Sequence, residues 1–486
     1  MPVEQTPAIA WATIGPALVL AAGSVLTLMV GALQRRPRRD VIAGLSLAAI
    51  GGSAYLTFDL AVDDRLLVGM QGMIAVDGVA LFTNLILLLS ATIAVLVSYH
   101  YLSARKIHRF EYYPLLLMAT SGMVMLAASN DLIMVFISLE LLSFALYIMV
   151  GIARRDAGSQ EASMKYFLLG AFSSAILLYG IALAYGVAGT TNIRGIGEAI
   201  VGGGLDPRAL FAAAGLIAVG FGFKVAAVPF HMWTPDVYQG APTPVTAFMA
   251  AATKAAGFAA LLRVFLVGFG ALQFDWRPAF WLMAILTMAL GSIVAIIQSD
   301  VKRMLAYSSI AHAGFVLVGV VAASREGVAG ALFYLLVYAI MILGAFAIVI
   351  ASSPGGRERL DFSSWVGMGQ RSPVFAGVMT LFLLSLAGIP PTAGFMGKVF
   401  VFKAAIEADE TGLVIAAVLA SVVASFFYLR LIVVMWLQTP TEEPGALGVT
   451  APSVVALAIT AAATIAIGIY PQGLIDLART AAVFTG

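Results

Sequence analysis

None of the 486 residues is a cysteine. That excludes disulfides, thiolate-ligated iron–sulfur clusters and zinc–thiolate sites within the chain. Charge is also scarce. Only 11% of residues are charged and 61% are hydrophobic, with a mean hydropathy of +1.00, whereas a soluble globular protein carries about 25% charged residues. Such a composition belongs to a polytopic membrane protein. The opening MPVEQTPAIA has an acid and no lysine or arginine before the first apolar run. It therefore lacks the basic n-region of a cleaved signal peptide, and the first apolar stretch is expected to remain as a helix. There is no GxGxxG after a strand, no Walker A sequence and no CxxCH. The chain is expected to bind no nucleotide or nucleic acid and to hold no redox centre.

What the chain has instead is long apolar runs. A bilayer is crossed by about 20 apolar residues in a helix. Fourteen stretches meet that length, roughly 7–32, 41–60, 76–102, 112–129, 131–152, 164–187, 209–239, 243–267, 278–298, 303–321, 327–351, 374–406, 412–438 and 453–475. They do not alternate, so the expected fold is all-α with about 14 transmembrane helices. Abundant Gly and Ala suit close helix packing. With the N-terminus outside, the inner loops hold Arg35, Arg36, Arg38, Arg39, Arg105, Lys106, Arg109, Arg154, Arg155, Lys165, Lys302, Arg303, Arg357, Arg359 and Arg371. The outer segments hold six: Arg65, Arg194, Arg208, Arg277, Arg325 and Arg479. Positive charge favours the cytoplasmic side, so both termini are expected on the non-cytoplasmic face.

A weak internal repeat is visible. The fifth stretch follows SND at 129–131 and the tenth follows SD at 299–300, an offset of about 169. At an offset of 174, Lys224 corresponds to Lys398, each in a stretch interrupted by proline. A shift of five helices turns one copy upside down, the plan of many secondary transporters. The expected division is 1–110 (three leading helices), 111–270 and 271–438 (two inverted five-helix repeats, with discontinuous helices 7 and 12), and 439–486 (a final helix).

The functional candidates are ionisable residues inside apolar runs. Glu140 lies near the middle of FISLELLSFALY, residues 136–147. A carboxylate at that depth costs several kcal/mol unless it faces protein or a water path. Ser143, Phe144 and Tyr147 share its helical face. In GFGFKVAAVPFHMWTPDVYQGAP, Lys224 precedes Pro229 by five residues, and that proline is expected to break the helix. Lys254 sits mid-helix among small residues in AATKAAGFAALL. Lys398 follows Pro390 and Pro391 in LSLAGIPPTAGFMGK. His312, in YSSIAHAG, carries an imidazole suited to proton shuttling. A structural polar contact is the competing reading for each of these residues. His100, His108 and His231 fall near helix ends, and for His231 and Asp236 a structural loop role is the favoured reading.

Together, FISLELLSFALYIMVG, KYFLLGAFSSAILLYG, GFKVAAVPFHMWTPDVYQGAPTPVTAFMA, VKRMLAYSSIAHAGFVLVG and LSLAGIPPTAGFMGK resemble the antiporter-like membrane subunits of the proton-pumping NADH–quinone oxidoreductase, respiratory complex I. The resemblance covers about 110–435. The length, the lack of a long lateral helix and lysine rather than glutamate at position 398 resemble the N-type branch. The resemblance implies a proton-translocating subunit of a bacterial inner or plasma membrane translocase. In it Glu140 and Lys224 form a coupled pair, Lys254 is the central relay, Lys398 serves the exit side and His312 belongs to the connecting polar axis. Two charges 4 Å apart interact by about 4 kcal/mol at an effective dielectric of 20, enough to decide whether the lysine keeps its proton. The resemblance also implies no cofactor in this chain, FMN and iron–sulfur clusters in partner subunits, and neighbouring membrane-arm subunits, lipid, protons and the complex's quinone as partners. Rival readings are a multisubunit Na+/H+ antiporter, a membrane-bound hydrogenase complex and a purely structural membrane subunit.

Overall fold

The computed structural model describes residues 10–34, 37–62, 67–107, 109–353, 358–439 and 448–485. The first nine residues, Arg35, Arg36, Arg65, His108 and Arg357 lie outside the described residues. Helices account for nearly all the order: α1 (Trp11–Leu33), α2 (Arg39–Val62), α3 (Gly78–Ala104), α4 (Tyr112–Ala128), α5 (Leu132–Val150), α6 (Ala157–Ala188), α7 (Ile193–Gly202), α8 (Pro207–Val225), α9 (Trp233–Gly240), α10 (Thr243–Phe248) and α11 (Lys254–Arg263). They continue with α12 (Gln273–Ile296), α13 (Val301–Ala322), α14 (Arg325–Ala351), α15 (Met368–Arg371), α16 (Pro373–Ala387), α17 (Ala393–Glu407), α18 (Thr411–Leu437), α19 (Ala451–Ile469) and α20 (Gln472–Ala481). Among the described residues twelve helical segments are long and apolar enough to cross a membrane, Thr243–Gly268 counted as one, and Tyr112–Ala128 and Pro373–Ala387 are shorter apolar ones. This is an all-α, multi-pass membrane fold, with one small exception: Leu67–Gly69 and Ile74–Val76 form an antiparallel hairpin that periodicity did not predict.

Aspartates start many of these helices. Asp77, Asp131, Asp156, Asp206 and Asp300 each accept a backbone N–H from the first turn of α3, α5, α6, α8 and α13. A carboxylate there satisfies an orphan donor and faces the positive end of the helix dipole. Five of the acids at the ends of the apolar runs are thus caps.

The centre of the bundle is α14, buried from Gly327 to Ala351. It packs on α3, α13, α16, α17 and α19. By contrast α1, α2, α6, α12 and α18 each bury one face and present side chains such as Leu26, Phe58, Phe172, Ile293 and Val422 outward. A helix exposed on one apolar face suits lipid or a neighbouring subunit.

One junction occurs twice with the same spacing. Asp131 bridges Asn192, with Leu132 N donating to Thr191 O (2.8 Å) and Ile193 N to Asn130 O (3.0 Å). Asp300 bridges Asp361, with Val301 N donating to Leu360 O (2.8 Å) and Phe362 N to Ser299 O (2.9 Å). Each partner in the second set is 169 residues after its counterpart. The two junctions sit at opposite ends of the bundle. The first lies by the hairpin, where Asn130 and Asn192 both donate to Gly72 O. The second lies where Asp236 binds both Lys165 and Arg303 at 2.8 Å.

Two of the predicted spans are interrupted, though not at the prolines. α8 ends at Val225 because Ala226 adopts a left-handed conformation, and Pro229 lies in the gap before α9. α16 ends at Ala387 with Gly388 at φ +85, before α17 resumes at Ala393. Between α10 and α11 the chain takes a wide π turn over Met249–Thr253, immediately before Lys254. Such turns cluster at functional sites. Nothing in the Ala-rich sequence signalled it.

Sequence reading also missed a fully buried ion pair. Arg263 donates to Asp77 through two nitrogens at 2.6 and 2.9 Å, with both side chains 0% exposed. The tail closes over it: Thr485 N donates to Asp77, and the Phe484 ring lies under the Arg263 guanidinium. The pair is buried in protein at the end of a span, where Asp77 caps α3.

Removing one member of such a pair leaves an uncompensated charge, at a cost of about 3–5 kcal/mol. Arg263→Met should destabilise the subunit by that order in thermal unfolding of the solubilised assembly, and adding Asp77→Asn should recover part of the loss. Asp236, on the segment between spans, gives a second expectation. Burial alone would raise its carboxyl, but Lys165 and Arg303 hold it below the usual carboxylate range. Its contribution is therefore complete above the unfolded value of about 3.9 and is lost as pH falls through the lower folded value. Thermal stabilities of the parent and Asp236→Asn should differ above about pH 5 and converge in stronger acid.

Candidate functional site

Each of the five predicted site residues can be followed through its contacts. Glu140, on α5, is only partly buried. Its neighbours Ile137, Leu141, Phe144 and Ile148 face outward, Phe144 at 64% exposure. Glu140 therefore sits at the flank of the bundle rather than in its heart. Its Oε1 accepts a hydrogen bond from Ser174 on α6.

Lys224, at the end of α8, is buried. Its Nζ donates to Ser143 Oγ at 2.7 Å and to Tyr166 OH at 3.4 Å, and it lies over the Tyr166 ring. Tyr166 in turn stacks on Trp233 with centroids 4.8 Å apart. Glu140 and Lys224 are thus not in direct contact; each bonds a serine, Ser174 and Ser143 respectively. Helical spacing put Ser143 and Tyr147 on the Glu140 face, but they turn inward toward Lys224 while Phe144 turns out. Between them is a small cavity lined by Ser143, Tyr147, Ser173, Ser174 and Lys224. Its volume, about 10 Å³, is at the threshold for one water, and its walls supply the polar partners a water needs.

Lys254 begins α11 just after the π turn. Its Nζ donates to the backbone carbonyl of Ser309 on α13. Small neighbours had hidden this partner, because a backbone acceptor on another helix leaves no sequence signal. Three residues on, His312 is enclosed by tyrosines. Its Nδ1 is 2.8 Å from Tyr334 OH and its Nε2 is 3.2 Å from Tyr428 OH. Tyr338 packs against the imidazole with centroids 4.9 Å apart. Tyr428 also bonds Ser308. Tyr334, Tyr338 and Tyr428 were not identified from sequence, since single tyrosines in apolar helices read as packing.

Lys398, on α17, donates to Ala387 O (2.7 Å), Leu386 O (3.3 Å) and Ser421 Oγ (2.7 Å). These carbonyls are the ones freed where α16 breaks. Gly388 is needed there twice over: its φ is positive, and a Cβ would come within 2.8 Å of Lys398 Cδ. The Phe315 ring stands between the last two candidates, 5.7 Å from His312 and 4.9 Å from Lys398 Nζ. Lys224 lies before its helix break and Lys398 after its own. The offset of 174 drawn between them differs from the 169 of the junctions, and the two lysines lie on opposite sides of their breaks. The junction spacing gives different equivalents: Glu140 matches Ser309 and Ser143 matches His312. In each half, α5 or α13 uses these two positions to meet a lysine or its relay.

His231 is half buried at the start of the segment after the α8 break, and Asp236 is committed to Lys165 and Arg303. The structural loop reading suits them. Among the described residues no group of three or more His, Asp or Glu could hold a metal.

This arrangement can hold protons at separated, buried groups and join several of them through hydroxyls. The family model described as "NADH:quinone oxidoreductase/Mrp antiporter, TM" matches residues 129–424. NADH-quinone oxidoreductase subunit N of Parafrankia sp. (strain EAN1pec) is 42% identical, with 98% of this chain and 95% of that protein covered. Among solved structures, a chain of respiratory complex I from Thermus thermophilus with bound aureothin superposes with a TM-score of 0.81 at 33% identity, covering 95% of this chain and 98% of that one. A chain of the Mrp complex from Dietzia sp. DQ12-45-1b reaches a TM-score of 0.86 at 23% identity, over 97% of both chains, a likeness of fold. The chain belongs to the subunit N family of NADH-quinone oxidoreductase.

Proposed function

We propose that this chain carries protons along Glu140, Lys224, Lys254, His312 and Lys398 while electrons pass from NADH to quinone in other subunits. As a subunit N it is a proton-translocating membrane-arm subunit of that translocase, one part of a multisubunit assembly. FMN and iron–sulfur clusters are assigned to the partner subunits. The excess of Lys and Arg in one set of loops supports an inner-membrane topology with both termini on the non-cytoplasmic side. The duplicated junction at Asp131 and Asp300 supports two inverted five-helix units, 111–270 and 271–438, flanked by 1–110 and 439–486.

One observation carries the reading: three lysines, each at most 5% exposed, are bound to hydroxyls or carbonyls rather than to carboxylates. An unpaired buried ammonium is costly, so each of these sites gains by releasing a proton. Glu140 acts on Lys224 through Ser174, the small cavity and Ser143. A displacement of α5 or α6 that disrupts this link withdraws the favourable interaction from Lys224 and lets its proton move on. Lys254 receives it, and Ser308, Tyr428, His312 and Tyr334 form the hydrogen-bonded stretch beyond. Lys398 then holds the proton against the carbonyls of the α16 break until it leaves.

In the native complex, Lys224→Met should sharply lower proton translocation coupled to NADH oxidation while assembly is retained, and normal pumping in an intact complex would remove Lys224 from the path. Tyr428→Phe keeps the ring but deletes the hydroxyl joining Ser308 to His312. It should slow coupled pumping without changing thermal stability by more than about 1–2 kcal/mol, as read by vesicle acidification beside a melting curve.

A further inference from the structure

The axis needs an inlet, and the five residues above do not supply one. The end of the bundle that carries Arg105, Lys165 and Arg303 holds a basin of about 420 Å³. Asp156, Glu161, Lys165, Asp236, Gln239 and Glu358 are among its lining residues. Most of its acids are partly exposed and committed to partly exposed bases. Glu358 differs. Its side chain is 10% exposed, and its Oε2 accepts from Lys302, which is 0% exposed, at 3.3 Å. Its Oε1 accepts from Tyr101 OH at 2.5 Å and from Thr243 Oγ1. Glu358 thus touches the basin on one side and fully buried polar groups on the other.

Those groups lead inward. Lys302 also donates to Ala241 O at 2.7 Å and begins α13. Ser309, whose carbonyl holds Lys254, lies seven residues further along that helix. Residues i and i+7 share a face, about 10.5 Å apart along the axis at 1.5 Å per residue. Around Ser309 are two hydroxyls from other helices, Tyr238 on α9 and Tyr338 on α14. All three side chains are at most 1% exposed, and Tyr238 and Tyr338 both lie within reach of the Ser309 hydroxyl, though none of the three makes a hydrogen bond of standard geometry among the described residues. Loosely paired buried hydroxyls of this kind are groups that an ordered water can bridge. Glu358 is held ionised and can carry a proton only in passing: burial alone would raise its carboxyl, but Lys302, Thr243 and Tyr101 hold it below the usual range.

We infer that Glu358 is the carboxylate through which protons leave the basin and join the buried axis, ahead of Lys254. The inference rests on the relay reading above. A hydronium ion in the basin gives its proton to Glu358 and departs as water. The neutral carboxyl no longer balances the Lys302 ammonium. That unbalanced charge drives the proton inward, over water held by Tyr238, Ser309 and Tyr338, to a neutral Lys254 amine, and Glu358 returns to its ionised form.

The test uses the intact complex in vesicles, with Lys224→Met as reference. Glu358→Gln keeps the shape and most acceptor contacts but cannot carry a proton, and should lower coupled pumping several-fold. Glu358→Asp should retain much of it. In Glu358→Ala the basin opens further, and small weak acids such as azide or formate should restore pumping in proportion to their concentration, which a purely structural side chain would not permit. Parent-like pumping in assembled Glu358→Gln, or no rescue of assembled Glu358→Ala, overturns this inference. If Lys224→Met pumps normally as well, the relay reading itself is overturned, whereas loss in Lys224→Met alone removes only Glu358.

Discussion

A buried ammonium needs acceptors, and a helix broken inside an apolar bundle has carbonyls left over. The two requirements meet at Lys398, whose Nζ takes the carbonyls of Ala387 and Leu386 released by the turn at Gly388. Neither feature is stable without the other. The break would otherwise leave unsatisfied carbonyls where no lipid can bond them, and the lysine would be a bare charge. Lys254 repeats the solution with a borrowed carbonyl, that of Ser309. The α8 break is satisfied differently: Trp233 Nε1 donates to Phe223 O and Val228 N to Thr287 Oγ1, leaving Lys224 to hydroxyls. The surrounding packing serves these bonds. The wholly buried α14 supplies Tyr334 and Tyr338 and fixes the helices that carry the lysines.

Much of this was legible in the residues. The apolar runs marked the helices because a bilayer imposes a length, and SND and SD marked the two junctions because aspartate caps helices. The charges inside the runs marked the site because nothing else justifies their cost. What could not be read was pairing across the bundle. Glu140 turned out to bond Ser174 on the next helix, and Arg263 found Asp77 at the far side of the sequence. The hydroxyls of Tyr334 and Tyr428 join the site only by virtue of facing His312, and a linear pattern contains no such direction. The breaks were foreseen from proline, but their position was set by left-handed residues before it, Ala226 and Gly388.

The duplicated junction sets matching positions in the two halves. Because Asp131 and Asp300 start α5 and α13 in the same register, the ninth and twelfth positions after each cap fall at the same distance along their helices. In one half these positions are Glu140 and Ser143; in the other, Ser309 and His312. The backbone preserved the address while the chemistry at it diverged, from a carboxylate at the flank to an imidazole at the centre.

Phe315 has a further consequence. Its ring separates the hydroxyl-and-imidazole stretch around His312 from Lys398, with no hydrogen bond across it. A membrane that stores energy as a charge difference is a capacitor, and a continuous wire through it would short the plates. In the proposed relay an aromatic spacer between two such lengths is an open switch: a proton would cross only when the spacer is bridged, so that one side chain would complete the insulation of the membrane.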